Sequence, residues 1–137
     1  MAYLLDTGFF YALINRNEQQ HNAVVSVAKR IKEPIILPSP VVTEVAYLIL
    51  RDLGQIHLAD FVESLAQTGF VFAEPIATDY ARAGHIIRQY HDTKIDFVDA
   101  IIVAIAERLN IEKILTVDQR HFRLFRPRHC PAFELFP

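Results

Sequence analysis

The stretch Lys94–Phe122, KIDFVDAIIVAIAERLNIEKILTVDQRHF, decides the fold. It reads as a helix within residues 94–110, a short connection, and a strand over Lys113–Val117. Asp96 and Asp99 open the helix and Asp118 closes the strand, so each end of the unit carries an acid. A helix that runs directly into a short apolar strand is the repeating piece of an α/β protein, in which a parallel sheet is covered by helices on both faces.

Working outward, the same alternation recurs. Ala2–Leu5 is a short apolar run that ends at Asp6, as a buried parallel strand does. Asp6 and Thr7 stop it, Gly8 gives a tight exit, and Phe9–Ile14 follows as a short apolar helix. Asn15–Gln20 is a polar turn. His21–Lys32 is a helix with Ala23, Val24, Val27, Ala28 and Ile31 on one face. Ile35–Leu37 is a second strand, broken by Pro38-Ser39-Pro40. The next helix starts near Thr43, carries Glu44 in its first turn, and stops at Gly54. His57–Gln67 is a further helix, Phe70–Ala73 a third strand, and Thr78 or Asp79 caps a helix running to Tyr90. Asp118–Phe122 reads as a turn and Phe133–Phe136 as an edge strand. The expectation is one α/β/α sandwich over residues 1–137, with a mainly parallel sheet of four to five strands and no repeat or linker.

Composition bounds the function. Hydrophobic residues make up 52% and charged residues 22%, which is globular usage. The net charge of −2 supplies no overall attraction for nucleic acid, so any such binding depends on local patches. The single cysteine, Cys130, has no partner for an internal disulfide and fits a reducing, cytoplasmic setting. No apolar run reaches the ~20 residues of a membrane span. The start, MAYLLDTGFF, lacks the basic region of a signal peptide.

The acids carry the chemistry. Open parallel sheets bind ligands beyond the carboxyl ends of their strands. Asp6 and Asp118 follow apolar runs at that edge, while Glu44 and the Asp96/Asp99 pair stand near the starts of helices entered from it. Two unit charges about 4 Å apart repel by roughly 4 kcal/mol at an effective dielectric near 20. Such a group is tolerated when some acids stay protonated or when a cation binds. All-oxygen donors suit Mg²⁺ or Mn²⁺, and no cysteine–histidine cluster suggests zinc. A water on such an ion can be activated as a nucleophile and a phosphoryl oxygen polarised, so phosphodiester hydrolysis is the natural reaction. Asp96 and Asp99 lie on one helical face and either could reach the site. Asp96 stands where an N-cap belongs, capping the amide of Val98 or Asp99, and Asp99 is the better ligand. Thr7 and Thr116 are auxiliary candidates, placed to orient a carboxylate or water or to bond the local backbone.

At these residues the chain resembles the PIN-domain family, and within it the VapC-like toxin ribonucleases of type II toxin–antitoxin modules. LLDTGFFYALINRNEQQHNA, PSPVVTEVAYLI and the stretch quoted first carry the likeness, in order and across nearly the whole chain. The resemblance implies a Rossmann-like sandwich with an acidic Mg²⁺ or Mn²⁺ centre made by Asp6, Glu44, Asp99 and Asp118. It implies that Asp6, Asp99 and Asp118 hold or orient the metal, and that Glu44 positions the attacking water. It further implies an RNA substrate cut to a 5′-phosphate and a 3′-hydroxyl, an antitoxin partner, and a homodimer. Gln119–His129, QRHFRLFRPRH, is the candidate RNA contact, with Arg120, Arg123 and Arg126 for phosphates. Phe122 and Phe125 are placed there either to stack on bases or to fill the core. His21, His57, His85 and His91 are scattered and read as structural or exposed. The two helices spanning residues 44–67 are rich in Leu, Ile, Val and Phe, which serve either the core or a partner surface.

The alternatives are a PIN nuclease of RNA processing, separated by the absence of a neighbouring antitoxin frame, and an inactive RNA-binding or assembly module. The module predicts a missing acid, and all are present. A haloacid dehalogenase-type phosphatase wants an acid two residues after the first, where Gly8 stands. A receiver domain wants adjacent acids after its first strand.

Overall fold

The structure is a computed structural model that describes residues 1–137. Five strands, β1 (Tyr3–Leu5), β2 (Ile35–Pro38), β3 (Val71–Ala73), β4 (Lys113–Leu115) and β5 (Glu134–Phe136), form one sheet in the order β3-β2-β1-β4-β5. Every neighbouring pair is parallel. Tyr3 aligns with Ile35 on one side and Lys113 on the other, so β1 is central. Leu4, Leu5, Leu37, Ile114 and Leu115 are buried, as the unbroken apolar runs of a doubly covered sheet should be. The α/β expectation holds, and β5 extends the sheet at the predicted edge.

The helices are α1 (Thr7–Ile14), α2 (His21–Arg30), α3 (Ser39–Leu53), α4 (Gln55–Ser64), α5 (Ala77–Gln89), α6 (Phe97–Leu109) and α7 (Gln119–Leu124). Helix α6 is the hydrophobic spine of the molecule: every residue from Ala100 to Ala106 is buried. Asn110 ends it in the left-handed conformation, φ 57°, which asparagine tolerates. Helix α5 is tied across α6 by Arg82–Glu107 at 2.7 Å and by Arg108–Asp79 at 2.9 Å. Asp79 also accepts from the Ile76 amide at the head of α5, so Ile76 is the cap residue and neither Thr78 nor Asp79 is.

Four boundaries differ from the sequence expectation in ways that matter for the site. Helix α1 starts at Thr7, directly after Asp6, so Gly8 is a helical residue and not a turn. Gly8 is needed for closeness: a Cβ there would stand 2.7 Å from Val117 Cγ2. Helix α3 starts at Ser39, because Pro40 in the first turn initiates a helix where its missing N–H costs nothing. Glu44 therefore lies in the second turn. Helix α4 begins at Gln55, straight after Gly54, and ends in a 3-10 turn at Leu65–Gln67. Where a turn is expected over residues 118–122, residues 119–124 form α7, whose Phe122 packs into the core beside Phe125 and Phe133. No helix is long and apolar enough to cross a membrane.

Candidate metal and nucleic-acid site

Because all strands run the same way, the segments leaving β1, β2 and β4 emerge at one edge. Asp6 follows β1 and is 5% exposed. Thr116 follows β4, and its hydroxyl donates to Asp6 Oδ2 at 2.8 Å while accepting from the Asp118 amide at 3.1 Å. One buried threonine thus fixes two acids from different strands. Asp96 is the N-cap of α6: its Oδ1 accepts from the Asp99 amide at 2.9 Å, and Asp99 Oδ2 accepts from the Asp96 amide at 3.1 Å. This reciprocal box orients Asp99 towards the sheet edge. Glu44 reaches the same place from α3.

These elements enclose a cavity of about 340 Å³ lined by Asp6, Thr7, Glu44, Asp96, Asp99 and Asp118, with Tyr47 and His121 at its wall. All the acids singled out in the sequence are brought together, and Thr7 and Thr116 stand beside them. The Thr7 hydroxyl is buried with no hydrogen-bond partner.

The acids raise one another's proton affinity. Burial pushes Asp6 up to about 6, with Glu44 and Asp118 adding repulsion against the hydrogen bonds from Thr116 and the Thr7 backbone. Burial and the neighbouring Asp96 carboxylate push Asp99 up to about 8, with Asp6 and Asp118 contributing and the backbone bond at Asp96 opposing. Such a cluster demands positive charge. His121, which the sequence reading does not single out, stands against two of the acids: Nδ1 lies 3.3 Å from Asp99 Oδ2 and 3.3 Å from Asp118 Oδ2. The available signal is its i+3 spacing from Asp118, which brings the two together only if residues 119–124 are helical.

The donor set fits a hard divalent cation. It is all oxygen, two of its carboxylates are held partly protonated by burial and mutual repulsion, and an unpartnered hydroxyl lines the cavity. No three acid or imidazole side chains converge closely enough to wrap one ion directly.

The basic segment divides. Arg120 and Arg123 line a second cavity, of about 680 Å³, which shares Asp118 with the acidic one. Arg126 is turned away, its guanidinium donating to the carbonyls of Arg123 and Phe125 at 2.8 and 2.9 Å. Phe122 and Phe125 are each 1% exposed, so they fill the core and leave no ring for a base. Of the scattered histidines, His21 bonds the Ala12 carbonyl at 2.6 Å and His57 the Leu53 carbonyl at 3.1 Å, while His85 and His91 lie away from the acids on and after α5.

Among known proteins, the chain is 28% identical over 134 residues to Ribonuclease VapC26 of Mycobacterium tuberculosis, covering 98% of this chain and 99% of that one. Its fold superposes on that of M. tuberculosis VapC20, a sarcin–ricin-loop-cleaving toxin, with a TM-score of 0.81 at 18% identity, over 87% of this chain and 92% of the other. It superposes on VapBC2 of Rickettsia felis, solved on a promoter DNA fragment, with a TM-score of 0.71 at 18% identity over the full length of both. At such identities the structural likeness speaks for the fold. The PIN domain model matches residues 3–126, a span that holds every acid of the cavity, and the chain belongs to the PIN domain family.

Proposed function

We propose that this protein is a metal-dependent endoribonuclease that hydrolyses RNA phosphodiester bonds, acting as the toxin of a toxin–antitoxin pair. The observation that carries the reading is the cavity in which Asp6, Glu44, Asp99 and Asp118 meet on separate elements of a PIN fold. The relative named for ribonuclease activity, aligned over nearly the whole chain, supports the RNA substrate.

Mg²⁺ or Mn²⁺ is the cation we assign, and when bound it supplies charge neutralisation at the phosphoryl group and a water of lowered pKa. Asp6, Asp99 and Asp118 would hold it, directly or through water. Thr116 keeps Asp6 and Asp118 in register, and the cap with Asp96 keeps Asp99 in place. Glu44, on the wall of the cavity, orients the attacking water and takes its proton. In-line attack by this water breaks the P–O3′ bond: the 5′-phosphate keeps the water oxygen, and the departing 3′-oxygen takes a proton from solvent to become the 3′-hydroxyl. His121 is a positioning residue that steadies Asp99 and Asp118. Arg120 and Arg123 hold the phosphate backbone beside the acids.

The partners follow from the same reading. Leu50 on α3 and Ile56 and Val62 on α4 are exposed apolar residues suited to an antitoxin segment or a second copy. The several neighbours solved as toxin–antitoxin complexes support the antitoxin. The reducing cytoplasm is the compartment we assign, given the lone free Cys130.

The test is cleavage of a small-RNA pool by antitoxin-free protein with Mg²⁺ or Mn²⁺, and with chelator, comparing wild type with Asp6→Asn. Metal-dependent cuts that vanish in the variant are expected. A folded wild type that cuts nothing in either metal overturns the reading.

A further inference from the structure

The acidic cavity has a second neighbour that the catalytic reading does not use. A groove of about 520 Å³ lies where the N-terminal turns of α3, α5 and α6 approach one another, lined by Pro40, Tyr47, Tyr80 and Phe97 with Thr43, Glu44 and Glu74 among its polar residues. Glu44 and Tyr47 belong to both cavities, so the groove adjoins the acids. Its aromatic rings are unburied: Tyr47 is 62% exposed, Tyr80 51% and Phe97 48%. Tyr80 and Phe97 lie nearly parallel, 10° apart in plane with centroids 6.4 Å apart. Leaving rings of this size half in water forgoes favourable burial, unless a ligand covers them.

We infer that Tyr80 and Phe97, walled by Tyr47, form a nucleobase-stacking subsite for the nucleotide next to the scissile phosphate. The inference rests on the ribonuclease reading and deepens it. Three cavities run in series: Arg120 and Arg123 at one end, the acids in the middle, the aromatic groove at the other. They are joined through Asp118 on one side and through Glu44 and Tyr47 on the other. A strand whose phosphates are held by the arginines and whose scissile phosphate lies at the acids leads its next base into the groove. Flat exposed rings hold an unpaired base by stacking, whatever its identity. Glu74, on the wall of the groove, can accept from a base amino group. A paired base has both faces covered, so the subsite admits only unpaired RNA at that position.

The test uses the full-length chain carrying Asp6→Asn, so that RNA survives, and a short unpaired RNA oligonucleotide with 2-aminopurine at successive positions. Stacking quenches this fluorophore. One position should quench on binding; Tyr80→Leu and Phe97→Leu should relieve the quench and weaken binding roughly fivefold to a hundredfold, while Phe97→Tyr, which keeps the ring, should preserve both. In the cleaving protein the same leucine variants should raise KM for unpaired RNA. Leucine variants that are folded by circular dichroism and bind and quench like the parent overturn the subsite. So does sedimentation showing that they only turn a dimer into a monomer with unchanged affinity per chain, which would make the groove a contact between copies. Wild type that cleaves while the rings prove indifferent sinks the subsite alone. Wild type that never cleaves, yet quenches through these rings, sinks the nuclease and keeps the subsite.

Discussion

At the scale of single residues, the acids of the cavity are held away from their preferred charge. An aspartate whose pKa is raised in the folded state stabilises the fold while protonated. That contribution is complete below the unfolded value near 4 and is lost as pH climbs through about 6 for Asp6 and about 8 for Asp99. For Asp6 the cost at neutral pH is on the order of 3 kcal/mol. The carboxylates pulled the other way, Asp52 by the Arg51 guanidinium and Glu107 by Arg82 against its own burial, have finished titrating below this window. Without metal, the protein should therefore melt at a lower temperature at pH 8 than at pH 5, and Asp99→Asn should flatten that slope between pH 6 and 8. Mg²⁺ or Mn²⁺ should raise the melting temperature more at pH 8, because the cation takes deprotonated carboxylates. Thermal melts in which metal-free wild type and Asp99→Asn run parallel across the window would remove the repulsion argument. The same substitution separates stability from function. Asp99→Asn should abolish cleavage while leaving metal-free protein at least as stable at pH 8, since asparagine still accepts from the Asp96 amide. Asp96→Asn keeps an equivalent cap and should cost far less activity; equal losses in the two variants would mean that Asp96 carries more than the cap.

At the scale of elements, the approach of α1 to the segment after β4 sets the spacing between Asp6 and Asp118. Gly8 is the contact point, and Val117 is a stiff β-branched neighbour with little room to yield. Gly8→Ala should destabilise by about 1–3 kcal/mol in denaturant unfolding, and cleavage should fall further than stability alone requires, because the strain is relieved by moving α1 with Asp6 at its head. An alanine variant with wild-type unfolding and activity would show that the contact is slack. Element boundaries are also where the sequence is least legible. Apolar runs closed by acids or prolines locate all the strands, the doubly buried β1, β2 and β4 and the more exposed edge strands β3 and β5 alike. Pro38-Ser39-Pro40 reads as a break, yet proline both interrupts a strand and starts a helix, and only the tertiary setting chooses. Glu44 is legible in spite of that, since a shift of a few residues along α3 leaves it near the same edge. Helix α7 is too short for a period to emerge, and with it His121 escapes notice: its closeness to Asp99 joins two segments whose register nothing local specifies. The tie from Thr116 to Asp6 spans 110 positions in the chain, and only the pairing of β1 with β4 chooses it over a local backbone bond.

At the scale of the whole molecule, the proposed ribonuclease activity asks a chain of net charge −2 with an acid-lined centre to bind a polyanion. The arrangement answers this by segregation. The acids meet at the central cavity, Arg120 and Arg123 stand in the adjoining one, and further along the C-terminal segment polar groups are tied within the chain. Arg126 bonds backbone carbonyls and the Arg128 amide donates to Glu107 at 2.9 Å. Affinity for RNA should then rest on few phosphate contacts and depend measurably, but not steeply, on salt. Each phosphate neutralised on a single strand contributes about −0.7 to the slope of log K against log salt. Replacing Arg120 and Arg123 together by glutamine, in the Asp6→Asn background, should flatten that slope by about 0.7 for each phosphate that is no longer neutralised. The weakening should be nearly the same for every RNA sequence, since phosphates carry no base identity. Arg126→Gln should leave the slope unchanged. The aromatic groove should behave in the opposite way, losing affinity with little change of slope, because stacking releases no counterions. Salt titrations of the arginine and ring variants therefore divide the binding surface into an electrostatic end and a stacking end. If the arginine pair leaves the slope untouched, the strand does not run from that cavity across the acids, and its path has to be redrawn.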